Sequence, residues 1–148
     1  MDRLKDLKIT LPQDWIDASD QNPDGPPTFI NESYEAPGIL QISKADFIRG
    51  KVPNPSYEDL ISLSENIGSK NEFGNITNRE SGVCSFGKFG VVEFSGDRFP
   101  FSCIWHLSDG KDFIFATFIC SEQPSVKEID DARKIILTIR HNRFRFWK

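Results

Sequence analysis

Cysteine and histidine are scarce in this sequence, at three and two of 148 residues. Cys84, Cys103 and Cys120 are odd in number and far apart, which argues against a disulfide framework and for reduced thiols. No Cys-x-x-Cys or His-Glu-x-x-His pattern occurs, so no metal site is expected. GxGxxG and Walker A patterns are missing as well, and no cofactor is expected. No apolar run approaches the roughly 20 residues that a membrane span needs. The opening residues, Met1-Asp2-Arg3-Leu4-Lys5-Asp6, scatter charge where a signal peptide requires an apolar stretch. Together these absences point to one cytoplasmic domain, residues 1–148, working without metal, cofactor or membrane.

Phenylalanine, by contrast, is plentiful at 13 residues, in a chain that is 38% hydrophobic and 27% charged. That balance is globular, with an aromatic core, and excludes the disordered class. The net charge of −4 is unevenly spread. Residues 9–43 hold six acids (Asp14, Asp17, Asp20, Asp24, Glu32, Glu35) and no base, while the last sixteen residues hold six bases and no acid. Such blocks are either solvated faces that complement each other or docking surfaces for a charged partner.

Alternation of apolar and polar residues predicts short strands at Leu7 to Leu11, around Phe29 to Ser33, and from Ile39 to Phe47 or Ile48. Pro23, Gly25, Pro26 and Pro27 mark a loop over 20–27. A helix is predicted over 56–67: Ser56 caps it, Tyr57, Leu60, Leu63 and Ile67 form an apolar stripe, and Gly68 suits the closing position. Residues 69–80 read as a polar loop. Val83 to Phe94 reads as one long strand bent at Gly87 and Gly90. Phe101, Cys103, Trp105 and Leu107 share one face of the next strand, and Asp109-Gly110 signals a hairpin. Phe113 to Cys120 is apolar on both faces, as a covered central strand would be. Ser125 and Glu128 form a capping box for a helix over 125–140. The expected fold class is α+β, an antiparallel sheet flanked by two helices.

Candidate chemistry is thin. Cys103 and His106 lie three apart on a strand, so they project to opposite faces and cannot act as nucleophile and base. Gly87-Lys88-Phe89-Gly90 has the form of a nucleic-acid-gripping GxxG loop, but it interrupts a strand instead of joining helices. The segment His141 to Lys148 interleaves bases with aromatics as single-strand binders do. In an acidic chain it reads instead as a terminal segment docked on the body, and no nucleic acid is expected. The acids of 14–35 lack the Asp-x-Asp-x-Asp-Gly order of a calcium loop. They are better suited to attract a basic protein. The candidate interface is therefore Asp14, Trp15, Asp17, Asp20, Asp24, Glu32, Tyr34 and Glu35.

Leu11-Pro12-Gln13-Asp14-Trp15, then Gly38-Ile39-Leu40-Gln41-Ile42-Ser43, then the Tyr57-Glu58-Asp59-Leu60 helix follow one another in an order that resembles the PsbP-like α/β/α sandwich superfamily. The Trp105 hairpin and the closing helix from Glu128 to Arg140 complete it. The resemblance implies a sheet between helices and a non-enzymatic, binding role. Members include a photosystem extrinsic subunit, a Ran-binding import factor and Eag-type chaperones of secreted effectors. Missing a leader, the chain departs from the organellar members. Small acidic proteins of this build also resemble immunity proteins of bacterial polymorphic toxin systems, which bind a basic toxin domain. The expected function is toxin neutralisation, with an Eag-type chaperone for an effector as the alternative and an unrecognised enzyme as a further one.

Overall fold

The computed structural model describes Leu4, residues 6–21 and residues 23–142. Among these residues nine strands and two α-helices follow in the order β1 (Leu7–Lys8), β2 (Trp15–Asp17), β3 (Thr28–Asn31), β4 (Ile39–Ala45), α1 (Tyr57–Lys70), β5 (Asn75–Val83), β6 (Lys88–Ser95), β7 (Phe101–Ser108), β8 (Phe113–Cys120), α2 (Val126–Leu137) and β9 (Arg140–His141). Seven strands form an antiparallel sheet ordered β2-β3-β4-β8-β7-β6-β5, and β1 pairs with β9 separately.

Alternation along the central strands sends side chains to two cores. Leu40, Ile42, Phe89, Val91, Cys103, Trp105, Leu107 and Phe118 point to one face, where Ala132, Ile135 and Ile136 of α2 cover them. Val92, Phe94 and Ile104 point to the other, against Ile61 and Ile67 of α1. All eight residues of β7 are buried, as a strand covered on both faces requires. The fold is α+β with two helices on opposite faces of a large antiparallel sheet. The Asp109-Gly110 turn joins β7 to β8 antiparallel, with Phe101 opposite Cys120 and Ser108 opposite Phe113.

Several local expectations are corrected. Residues 75–83 are not loop but strand β5, and Val83 to Phe94 is not one bent strand: Val83 ends β5, and the chain turns over Cys84–Gly87 into β6 to form a hairpin. The first strand is only Leu7–Lys8, and Trp15–Asp17 adds a strand inside the acidic stretch. Gly68 does not close α1, which runs on to Lys70; it lies buried where a Cβ would fall 2.1 Å from the Phe94 ring. Its role is close approach, not a left-handed turn. The capping box belongs to Ser56 and Asp59, whose side chains each accept the other's backbone N–H. At Ser125 only half of one forms: Ser125 Oγ accepts from the Glu128 N–H, but the Glu128 carboxylate accepts instead from Gly38 N–H at 2.7 Å. That buried bond ties α2 to the start of β4.

Candidate functional site

Sheet register assembles a feature that lies on four separate strands. Ile16 of β2 stands opposite Ile30 of β3, and Ile39 of β4 opposite Ile119 of β8. Phe29 opposite Leu40 carries Ile30 next to Ile39. The four isoleucines thus form a row on the α1 side of the sheet. However, α1 lies over β5, β6 and β7, and no α-helix among the described residues covers β8, β4, β3 and β2 there. Ile39 is 43% exposed, and Ile16, Ile30 and Ile119 are half-buried. Thr117, Gln41 and Phe115 continue this open floor. On α1, Glu65 turns toward β5 and pairs with Arg79. At about 3.6 residues per turn, Leu63 and Ile67 fall on the opposite flank, toward β8. Leu63 on that flank is 39% exposed.

The acids lie on and around the two outer strands of this open half. Asp14 precedes β2 with a φ of +74°, and its carbonyl accepts from Glu32 N–H at 2.9 Å, placing those two residues together. Asp17 ends β2 and accepts from Ser19 N–H, Asp20 lies in a 3-10 turn, and both are exposed. Asp24, also exposed, lines a separate cavity with Lys44. Glu32 and Glu35 are exposed, and Tyr34 OH reaches Ser125 Oγ at 3.0 Å. Trp15 is not at the surface. It is 5% exposed, packs on Phe118, and its indole N–H donates to Asp131 at 3.1 Å. It anchors the core, so the acidic stretch offers charge but not that aromatic.

One pair that sequence spacing concealed has the look of catalysis. Ser64 Oγ of α1 lies 2.8 Å from His106 Nδ1 of β7. Burial pushes the His106 pKa down to about 4. Ser64 has no exposed surface, so its hydroxyl meets no substrate, and the pair ties helix to sheet. Cys103 faces the opposite side, fully enclosed, and burial raises its thiol; Cys120 is pushed up to about 12. Neither is poised as a thiolate. Cys103→Ser should cost roughly 1–3 kcal/mol, the penalty of an imperfectly satisfied buried hydroxyl, as read by chemical denaturation. An unchanged midpoint would show that the site accommodates the hydroxyl. Among the described residues no group of three or more possible metal ligands gathers. Of the basic-aromatic segment, only His141 and Asn142 lie within the described residues.

No family model matches the chain, and no curated protein matches it in sequence. Solved structures do match. The solution structure of cyanobacterial PsbP (CyanoP) from Synechocystis superposes with a TM-score of 0.59 over 95% of this chain and 89% of that one, at 10% identity. The chain has the PsbP-like fold. A crystal structure from Bacteroides thetaiotaomicron gives a TM-score of 0.51 at 16% identity; it covers 93% of this chain, which spans 45% of that protein's length. At such identities the PsbP-like likeness carries architecture alone. No described helix is long and apolar enough to cross a membrane.

Proposed function

We propose that this PsbP-like chain is a non-catalytic, cytoplasmic protein-binding module that docks its partner on the uncovered half of the sheet. The carrying observation is the open isoleucine row, with exposed Leu63 on the α1 flank that turns toward β8 and a base-free acidic stretch on the row's outer strands. Apolar contact along such a row slows dissociation, while the acids speed the approach of a basic partner. Toxin neutralisation uses both, and a toxin domain of basic surface is the first reading. The isoleucine row favours a second: a chaperone or adaptor holding an apolar segment of a secreted effector.

Co-expression with the product of the adjacent gene tests this and separates the readings. Relief of that product's toxicity supports immunity, and rescue of its solubility supports the chaperone. Formation of no complex counts against both. Within a complex, reversing Asp17, Asp20 and Asp24 to Lys is expected to slow association about tenfold at low salt and to flatten its salt dependence. Melting temperature should fall only slightly, through loss of the exposed Asp17–Ser19 N–H bond, worth about 1 kcal/mol. A much lower melting temperature with normal association would instead mean that the acids serve only to neutralise the chain's own basic segment.

A further inference from the structure

A second feature lies away from the isoleucine row, where the end of α2 meets the segment after β1. A cavity of about 330 Å³ opens there, with Lys134 and Arg140 on its lining. Leu11 and Pro12 give it an apolar wall, and Thr10, Ser85 and Thr138 add hydroxyls. No acid lines it. That is notable in a chain carrying 22 acids against 18 bases.

Cations near a helix C-terminus ordinarily satisfy its last carbonyls. Here those carbonyls are already taken. Ser85 N–H donates to Leu137 O at 3.2 Å and Ile139 N–H to Ile136 O at 3.3 Å. Thr138 donates from its backbone to Lys134 O at 3.1 Å and from its hydroxyl to Lys134 O and Ile135 O. Nor are the two cations neutralised by carboxylates. Their neighbour Arg133 pairs with Glu80 and Glu93, whereas neither Lys134 nor Arg140 has an ion pair among the described residues. Two uncompensated positive charges thus flank one cavity. Its size sits at the low end for small-molecule pockets, about 300–1,000 Å³.

We infer that this cavity binds a small organic anion, with its oxyanion head between Lys134 and Arg140 and its short apolar body on Leu11 and Pro12. Arg presents a planar fork that matches a carboxylate or phosphate, and Lys adds a point charge. The hydroxyls of Thr10 and Ser85 supply further donors. The site is independent of partner docking on the opposite face.

Calorimetric titration of the full chain with hexanoate, hexyl phosphate, hexanol and inorganic phosphate tests it. Hexanoate or hexyl phosphate should bind at least tenfold more tightly than hexanol, and the tighter of the two assigns the head group. Both should exceed inorganic phosphate, which lacks the apolar body. The Lys134→Gln/Arg140→Gln double variant should lose tenfold or more for the organic anion, with its ligand-free melting temperature unchanged. Equal binding of hexanol, binding of inorganic phosphate as tight as the organic anions, or an unaffected folded double variant would each overturn the proposal.

Discussion

Gly90→Val should cost about 3 kcal/mol or more and shift the thermal midpoint down by many degrees. A Cβ at Gly90 would stand 2.7 Å from Ile61 N and 2.8 Å from Leu60 C, against the backbone of α1 itself. Backbone cannot rotate aside as a side chain can, so α1 would have to lift from β6. Lifting it would open Val92, Phe94 and Ile104 to water and separate Ser64 from His106. Gly82→Ala on the neighbouring strand is the control. Its Cβ would meet only the rim of the Phe89 ring, at 3.1 Å, and its cost should stay below about 1 kcal/mol. Equal effects of the two variants would mean that helix contact at Gly90 is not what limits stability.

The second large effect is expected in acid. His106 is buried between Ser64 and the Phe115 ring, and its pKa falls from the ordinary 6.5 to about 4 through that burial. Between those values the unfolded chain binds the proton and the folded chain does not. Stability therefore falls as pH drops from 6.5 toward 4, by about 3 kcal/mol for this group. Burial raises Glu93 and Glu128 above the ordinary 4.5, so their protonation stabilises the fold within the same acid window and the readout is a difference. His106→Gln keeps an acceptor for Ser64 and removes the titration. Unfolding free energies of the two proteins should converge as pH falls through this window. Parallel curves would show that His106 titrates normally in the folded chain.

How far the fold could be read depended on how strongly burial constrained each segment. The capping of Ser56, the Phe101-to-Leu107 face and the Asp109-Gly110 turn were legible because each packs or turns in one way only; the α1 stripe was legible in part, since Leu60 is buried but Leu63 is 39% exposed and the small Ser64 and Gly68 take the buried face. β5 was not. At an edge, with seven of nine residues exposed and its charges bonded across to α1 and α2, it has no apolar alternation to betray it. β2 hid among acids for a similar reason, since only Trp15 of its three residues is buried. Gly68 and Glu128 were misplaced because their partners, Phe94 and Gly38, are distant in sequence. The candidate site divides in the same way. Its acids can be counted along the chain, but the isoleucine row exists only once four strands are in register, and nothing near Trp15 in the sequence marks the distant Asp131 that turns it inward.

The pairing of β1 with β9 has a mechanical consequence. Leu7 sits opposite His141 and Lys8 opposite Arg140, so residues from opposite ends of the described chain meet in one short ladder. His141 further bonds Asp109 at 2.9 Å and stacks on Phe86. A stretching force applied through residues 7 and 141 would load that ladder first and open it bond by bond, as a zipper, before reaching the seven-stranded sheet. Time runs the other way. This contact closes a loop that spans nearly all of the described residues, and the entropy of that closure makes it a late event in folding. The same two-residue clasp is therefore the weak link under tension and the last seal on the α2 core, where Leu4 and Leu7 lie buried.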